Sequence, residues 1–276
     1  MFKFLLSHLA GKHEDTSFWE HAEALRKILI RSILSVFILA TGAFFFKDYI
    51  FNSVILPPKN AEFITYRLLC KLGALLHTDT LCAGNVSFSL INLSIAGQFR
   101  WHIIISLIAG FIIAFPFILS QLWIFVKPAL SPKEKTYAGR AVFYIFFLFV
   151  GGLLFGYFLI LPLSVQFLGN YELSPYITNQ ITIHSYISTV AVIPLSLGLV
   201  FELPTLVFFL TKTGFVSVYF LRKNRKYSVI AVLILAAIIT PSTDAFTMMV
   251  VALPLYFLYE MSIFIARRVE KKVLAG

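Results

Sequence analysis

Residues 197–210 read LGLVFELPTLVFFL, an apolar run broken by a single charge, Glu202. The run lies inside 187–211, which is long enough to cross a bilayer at ~1.5 Å per residue. A carboxylate at membrane depth costs at least ~2.5–3.5 kcal/mol on insertion scales. Its presence implies a polar neighbour, a wet cavity or a bound proton. The rest of the chain reads as a membrane scaffold around this position and the cytoplasmic loops beneath it.

Composition supports that frame. Of 276 residues, 59% are hydrophobic and 13% charged, against about 25% charged in a soluble domain. Such a chain cannot hide its apolar surface by folding on itself, so an all-α integral membrane protein is expected. The net charge of +10 is divided among loops between spans. It therefore points to orientation and anionic lipid, with no nucleic-acid partner. The apolar patch at residues 2–6 is too short for a signal core, so the first span is expected to insert uncleaved.

Six apolar runs stand at about 28–46, 101–126, 141–163, 187–211, 227–240 and 245–266. The fifth is short by about a third for a ~30 Å hydrocarbon layer, and the turn at 240–244 leads straight into the sixth. A tight helical hairpin over 227–266 follows. Lys and Arg set the orientation. Eighteen lie in the N-terminal segment, the loop after the second span, the loop after the fourth and the C-terminus. Five lie opposite, all in the long loop 47–100. Both termini are expected in the cytoplasm. Residues 1–276 form one membrane domain.

The outer loop 47–100 is long enough to require structure of its own. Helical spacing predicts a surface helix around 61–76, and partial alternation predicts an extended piece over 87–95. The loop holds both cysteines, Cys70 and Cys82. On an oxidising side they form either a disulfide or two packed thiols. In the second outer loop, 177–187 reads as an interfacial helix entering the fourth span. Pro116, Pro162, Pro194, Pro204 and Pro254 fall within spans and kink them, which favours a curved wall over a straight bundle.

The N-terminal segment, residues 15–32, reads DTSFWEHAEALRKILIRS. Its plainer reading is an amphipathic interfacial helix anchored by Trp19. The sharper one adds peptide recognition, with Glu20 or Glu23 meeting a cation. The first cytoplasmic loop, 127–140, is stiffened by Pro128 and Pro132. Its one acid, Glu134, lies among Lys127, Lys133 and Lys135. A solvated salt-bridge partner is the default for such a residue. Glu260, near the inner end of the sixth span, is expected to pair with a local Arg or reach the interface. His8, His13 and His21 lack metal-ligand spacing. No metal, cofactor or catalytic constellation is expected, and the chain is not read as an enzyme.

The blocks SFWEHAEALRKILIRS, AFPFILSQLWIFVKPALSPKEK, GYFLILPLSVQFL, LGLVFELPTLVFFLTKTGFVS, LRKNRKYSVIAVLILAAIITPSTD and ALPLYFLYEMSIFIAR occur in this order. Together they resemble the TatC family, the receptor subunit of the twin-arginine protein translocase. The resemblance spans nearly the whole chain except 1–16 and much of the first outer loop. It implies six helices in a concave, glove-like wall in the bacterial inner membrane. It also implies recognition of folded cargo through a signal peptide with paired arginines, and the proton-motive force as energy source. Glu134 is then the acid that meets the arginine pair, with Phe125 beside it. Lys127, Glu20, Glu23 and Arg26 flank the same surface. Pro57 matches a proline just beyond the first span, and Glu202 the family's intramembrane acid. Implied partners are TatA-type and TatB-type single-span subunits in an oligomeric complex, with the fifth and sixth spans among the docking faces. Two positions depart. The usual N-terminal acid falls on Ala24, with Glu23 one residue earlier and ~100° round the helix. TPSTD also carries one residue more before Asp244 than the family's TPPD.

The alternative is a proton-coupled small-solute transporter with Glu202 as relay. Such proteins place several polar groups near the midplane, and here only Glu202 lies deep.

Overall fold

The computed structural model describes residues 18–75, 88–126, 132–171, 174, 176, 179–212, 214–240 and 245–274. The first helix, α1 (Phe18–Phe45), runs unbroken for 28 residues. The interfacial segment and the first span are thus one element. No Gly or Pro lies between Phe18 and Thr41, so nothing separates them. Ile30, Ile33, Leu34, Phe37 and Ile38 are exposed along it, as a lipid-facing surface requires. The small face, Ala40 and Ala43, is buried.

In the first outer loop, α2 (Ile64–Leu75) falls where the expected surface helix lies. Strand β1 (Ser89–Ile91) falls in the expected extended piece. The second span, α3 (Gly97–Val126), contains Pro116. It packs antiparallel to α1: the Phe44 and His102 rings stack at 3.9 Å, and a Cβ on Gly110 would lie 2.6 Å from the Ala40 nitrogen.

The third span is α4 (Pro132–Phe155), a π turn (Gly156–Ile160) and α5 (Leu161–Asn170). Helix therefore begins nine residues before 141, and Glu134 stands in the first turn. Proline at the first helical position suits this start, because its missing N–H would have no acceptor there. The π turn has a cause as well. Pro162 has no N–H to give the carbonyl of Phe158, and the Thr65 hydroxyl of α2 donates to that carbonyl instead. Pro58 likewise leaves the Val54 carbonyl to the Tyr157 hydroxyl at 2.7 Å. Tyr186 donates to the Ile55 carbonyl at 2.9 Å. The Tyr66 hydroxyl lies 3.0 Å from the carbonyls of both Pro58 and Pro162. Burial pushes the Tyr66 phenol above the usual tyrosine range, which keeps it a neutral donor. Pro57 opens the short 3₁₀ turn Pro57–Lys59 within this lattice. Ile55, Phe63, Tyr66, Phe88, Trp101, Ile160 and Tyr186 close the core around it. Cys70 of α2 is disulfide-bonded; Cys82 lies outside the described residues.

One expectation is corrected. Residues 177–187 are not a helix throughout: β2 (Gln180–Thr182) precedes α6 (Ile183–Val200). β2 pairs in parallel with β1, Ser89 opposite Gln180. The β-branched pair Ile181 and Thr182 suits a strand once β1 supplies a partner. Thr182 then caps α6 by accepting the Ser185 N–H at 3.2 Å.

Close approach of the third and fourth spans rests on glycines. Gly152 and Gly156 form a small-xxx-small pair of the kind that lets membrane helices meet. A Cβ on Gly152 would lie 2.7 Å from the Leu197 carbonyl oxygen, and one on Gly156 would lie 2.7 Å from the Pro194 Cα. Gly151, next in sequence, has nothing within 4 Å. Opposite signs are therefore expected for two similar changes. Gly156→Ala should lower the thermal midpoint in detergent by the equivalent of ~1–3 kcal/mol of overpacking. Gly151→Ala should leave it unchanged or raise it, since a mid-helix glycine costs ~0.5–1 kcal/mol.

The fourth span breaks after α6 and resumes as α7 (Leu203–Lys212). The short α8 (Val218–Lys223) is capped by Ser217. It leads to α9 (Arg225–Ile239) and α10 (Ala245–Leu274). Among the described residues, five helices are long and apolar enough to cross a membrane. Helix α9, with 15 residues, reaches ~22 Å and is the short fifth run. Arg225 at its start pairs with Glu260 of α10 at 2.7 Å, and the Tyr256 hydroxyl lies 3.3 Å from the same carboxylate.

Candidate functional site

The antiparallel α1–α3 pair determines which residues share a membrane end. Ala40 meets Gly110 and Phe44 meets His102. Equal steps back along α1 and forward along α3 bring Glu23 and Arg26 to about the level of Phe125. The α3–α4 connection is short, so Glu134, in the first turn of α4, belongs to that same end. Glu20 lies one turn before Glu23 on α1. Lys127, Pro128 and Asp244 lie outside the described residues.

Not every candidate is equally poised. Glu23 already pairs with Lys27 on its own helix at 2.8 Å, with both side chains mostly exposed. Such a pair is weak and exchangeable. Arg26 is exposed. Glu134 sits where the unpaired N–H groups of a helix start favour a negative charge.

Gln121, buried and with its Oε1 unpartnered among the described residues, lies one turn before Phe125 and so shares its face of α3. Trp123 of α3 comes within 6.0 Å, ring to ring, of Phe209 of α7. Thr211 of α7 is also buried, its hydroxyl unpartnered among the described residues. Two unsatisfied polar atoms thus lie near this end of the α3 and α7 spans. Sequence reading passed over Gln121. The available signal was an amide in an otherwise apolar run.

Deeper in the membrane, the chain turns at Phe201 and Glu202 between α6 and α7. The cause is Pro204, which cannot donate to the Val200 carbonyl. Glu202 N–H turns to the Leu199 carbonyl at 3.1 Å, and Leu206 N–H takes the Glu202 carbonyl at 2.9 Å. Both Glu202 carboxylate oxygens are shut off from solvent, and neither has a hydrogen bond of good geometry among the described residues. The Thr205 side chain and the Phe149 backbone are polar groups that act on it. Phe149 is fully buried and stacks on Phe115 at 3.6 Å. Phe149 stands 15 residues beyond Glu134, so the acid lies ~22 Å up the third span from Glu134. No charged group acts on Glu202 among the described residues, and the relay of a solute transporter finds no support.

These features define a multi-pass helical membrane protein with an acid-bearing end and one isolated carboxylate at depth. The family model for Sec-independent protein translocase protein (TatC) matches residues 20–254. The chain belongs to the TatC family. It is 37% identical to the Sec-independent protein translocase protein TatC of Blattabacterium sp. subsp. Periplaneta americana, over 96% of this chain and all of that one. It is 36% identical to the Carboxydothermus hydrogenoformans protein of the same name, over 94% of this chain and 96% of that one. A crystal structure of the twin arginine translocase receptor TatC superposes with a TM-score of 0.72 at 33% identity, covering 91% of this chain and 99% of that chain.

Proposed function

We propose that this chain is the signal-reading subunit of a twin-arginine translocase, set in the bacterial inner membrane with both termini in the cytoplasm. Glu134 holds the arginine pair of the signal peptide, Phe125 packs beside it, and Glu20, Glu23, Arg26 and Lys127 shape the rim. The observation that carries this is the meeting of the α1 start, Phe125 and the first turn of α4 at one membrane end, in a chain of this family. The excess of Lys and Arg in that end's segments, 18 against 5, supports a cytoplasmic address. A guanidinium fork matches a carboxylate in shape and charge. The apolar part of the peptide would lie between kinked spans as a helix in a groove. Gln121 and Thr211, each with a polar atom unpartnered among the described residues, lie near its entrance.

TatA-type and TatB-type single-span subunits dock along exposed spans in this reading. Ile230, Ile234 and Ile238 form an exposed apolar stripe on α9, one turn apart, on a helix too short to fill the bilayer alone. A disulfide from Cys70 to Cys82 would pin the outer loop. The reaction is transport, with no bond made or broken by the chain.

Photocrosslinkers placed at 18–27 and 125–136 test the site. They should capture a labelled twin-arginine peptide and capture a twin-lysine peptide several-fold less. Equal capture, or none from either segment, would refute the assignment.

A further inference from the structure

Helix α7 ends near the level of Trp123, which meets Phe209, so the α8 corner that follows shares a membrane end with Glu134. Helix α8 is short but held from one side. Val218 and Leu221 are buried against Ile263 and Ala266 of α10, in a small core separate from the main one. The Tyr259 hydroxyl donates to the Leu221 carbonyl at 2.6 Å. Just beyond, Arg225 pairs with Glu260. This docking turns the other residues of the corner outward. Phe215, Tyr219, Phe220 and Tyr227 are exposed, and so are Arg222, Lys223 and Lys226.

Cations and rings are interleaved on this surface. The Lys223 Nζ lies 5.8 Å from the Tyr219 ring centroid, and the Lys226 Nζ lies 5.1 Å from that of Tyr227. On α10, Arg268 stands 4.4 Å over the Phe264 ring. Aromatic rings and long cations at one height are the composition of a membrane–water boundary. The charge is one-sided. No Asp or Glu occurs from 203 to 243, and Glu260 is taken by Arg225. Glu270, one turn beyond Ala266, is half-buried and has Arg267 and Arg268 before it in sequence. Arg222, Lys223 and Lys226 make no ion pair among the described residues. The surface therefore fits a partner that is anionic and apolar together. The length of α9 says which. A 15-residue span draws lipid headgroups in toward its ends or sends its flanking side chains out to them. Either response brings the three cations to lipid phosphates.

We propose that the α8 corner is a binding surface for anionic phospholipid in the leaflet at this membrane end. Arg222, Lys223 and Lys226 hold the phosphates, Phe215 and Phe220 lie against the upper acyl chains, and the Tyr219 and Tyr227 hydroxyls stand in the headgroup layer. The proposal is independent of the peptide site, because no residue is shared.

Native mass spectrometry of the full chain in detergent, with phosphatidylglycerol and phosphatidylcholine of the same acyl chains added in equal amounts, reads the occupancy. The wild type should retain phosphatidylglycerol in about tenfold preference or more. Arg222→Gln, Lys223→Gln and Lys226→Gln should each reduce that preference by up to about fivefold, the scale of one cation near an anionic surface, and the triple variant should abolish it. Arg225 is left in place, because its loss would break the pair with Glu260. Phe215→Ser with Phe220→Ser should instead lower retention of both lipids alike. Lys47→Gln with Arg100→Gln, exposed cations at the opposite membrane end, should leave the preference unchanged. All these side chains are exposed, and size-exclusion profiles report that each variant is folded. Equal retention of the two lipids by the wild type would overturn the proposal, as would an unchanged preference in the triple variant. A loss as large in the opposite-end pair would also overturn it, since net charge alone would then be the cause. Displacement of phosphatidylglycerol by an equal concentration of polyglutamate would do so in favour of an acidic protein partner.

Discussion

Glu134→Lys is expected to weaken binding of a twin-arginine peptide by about a hundredfold or more, with the protein still inserted and folded. The size follows from what is lost. A bond to a charged group contributes ~1.5–3 kcal/mol, a bidentate guanidinium pair makes two, and 1.4 kcal/mol is tenfold in affinity. Reversal adds repulsion against two arginines. Glu134→Gln keeps shape and one acceptor, so a loss of about tenfold is the lower end. The cost to folding is small, because an acid at a helix start contributes only ~0.3–1 kcal/mol through the dipole. A twin-lysine peptide should bind the wild type weakly, since an ammonium cannot form the fork. Titration of a fluorescent peptide into the purified protein in detergent, at two salt concentrations, separates the outcomes. Equal affinity for wild type and Glu134→Lys would remove Glu134 from the site.

Much of this architecture is legible in the amino-acid order because hydrophobic runs and prolines act locally. The 15-residue fifth helix, the outer-loop helix α2 and the partnership of Glu260 with an arginine all follow from length, period and charge. The π turn at 156–160 is half legible: Pro162 signals a freed carbonyl, but only the fold shows Thr65 arriving from a loop nearly a hundred residues earlier to take it. Strand β2 is less legible still. Gln180–Thr182 is strand because β1, 91 positions earlier in register, lies alongside, and no local pattern carries that pairing. The same holds at the candidate site. Glu134 is visible as a lone acid between lysines, whereas its place in the first turn of α4, level with Phe125 and the α1 start, depends on how α1 and α3 run past each other. For Glu202, sequence gives the anomaly of a charge at depth and Pro204 gives the break. That its carboxylate has no hydrogen bond of good geometry among the described residues is a property of the packed spans.

That absence leads to an unusual pairing of effects for Glu202→Leu: a more stable protein that exports poorly. Both carboxylate oxygens are buried and unpartnered among the described residues, so the native state carries an uncompensated polar group. Replacing such a group by an apolar side chain of similar size is often neutral or stabilising by ~1–4 kcal/mol. A rise of several degrees in the thermal midpoint is expected, at ~2–4 °C per kcal/mol for a chain of this order. A group that weakens its own scaffold and has no hydrogen bond of good geometry among the described residues is suited to a partner that arrives from elsewhere. In the reading proposed above, that is a polar side chain of a single-span subunit or of the peptide, meeting the carboxylate where α6 and α7 part. Export of a twin-arginine reporter should therefore fall by tenfold or more in Glu202→Leu, while peptide binding at Glu134, ~22 Å away, stays within about twofold. Glu202→Gln, which keeps an acceptor and loses the charge, should fall between the two. Stability and export then move in opposite directions across the series, a trade-off expected of functional rather than structural residues. A Glu202→Leu protein that unfolds earlier than the wild type would show that the carboxylate supports the fold. One that exports at the wild-type rate would show that nothing comes to meet it.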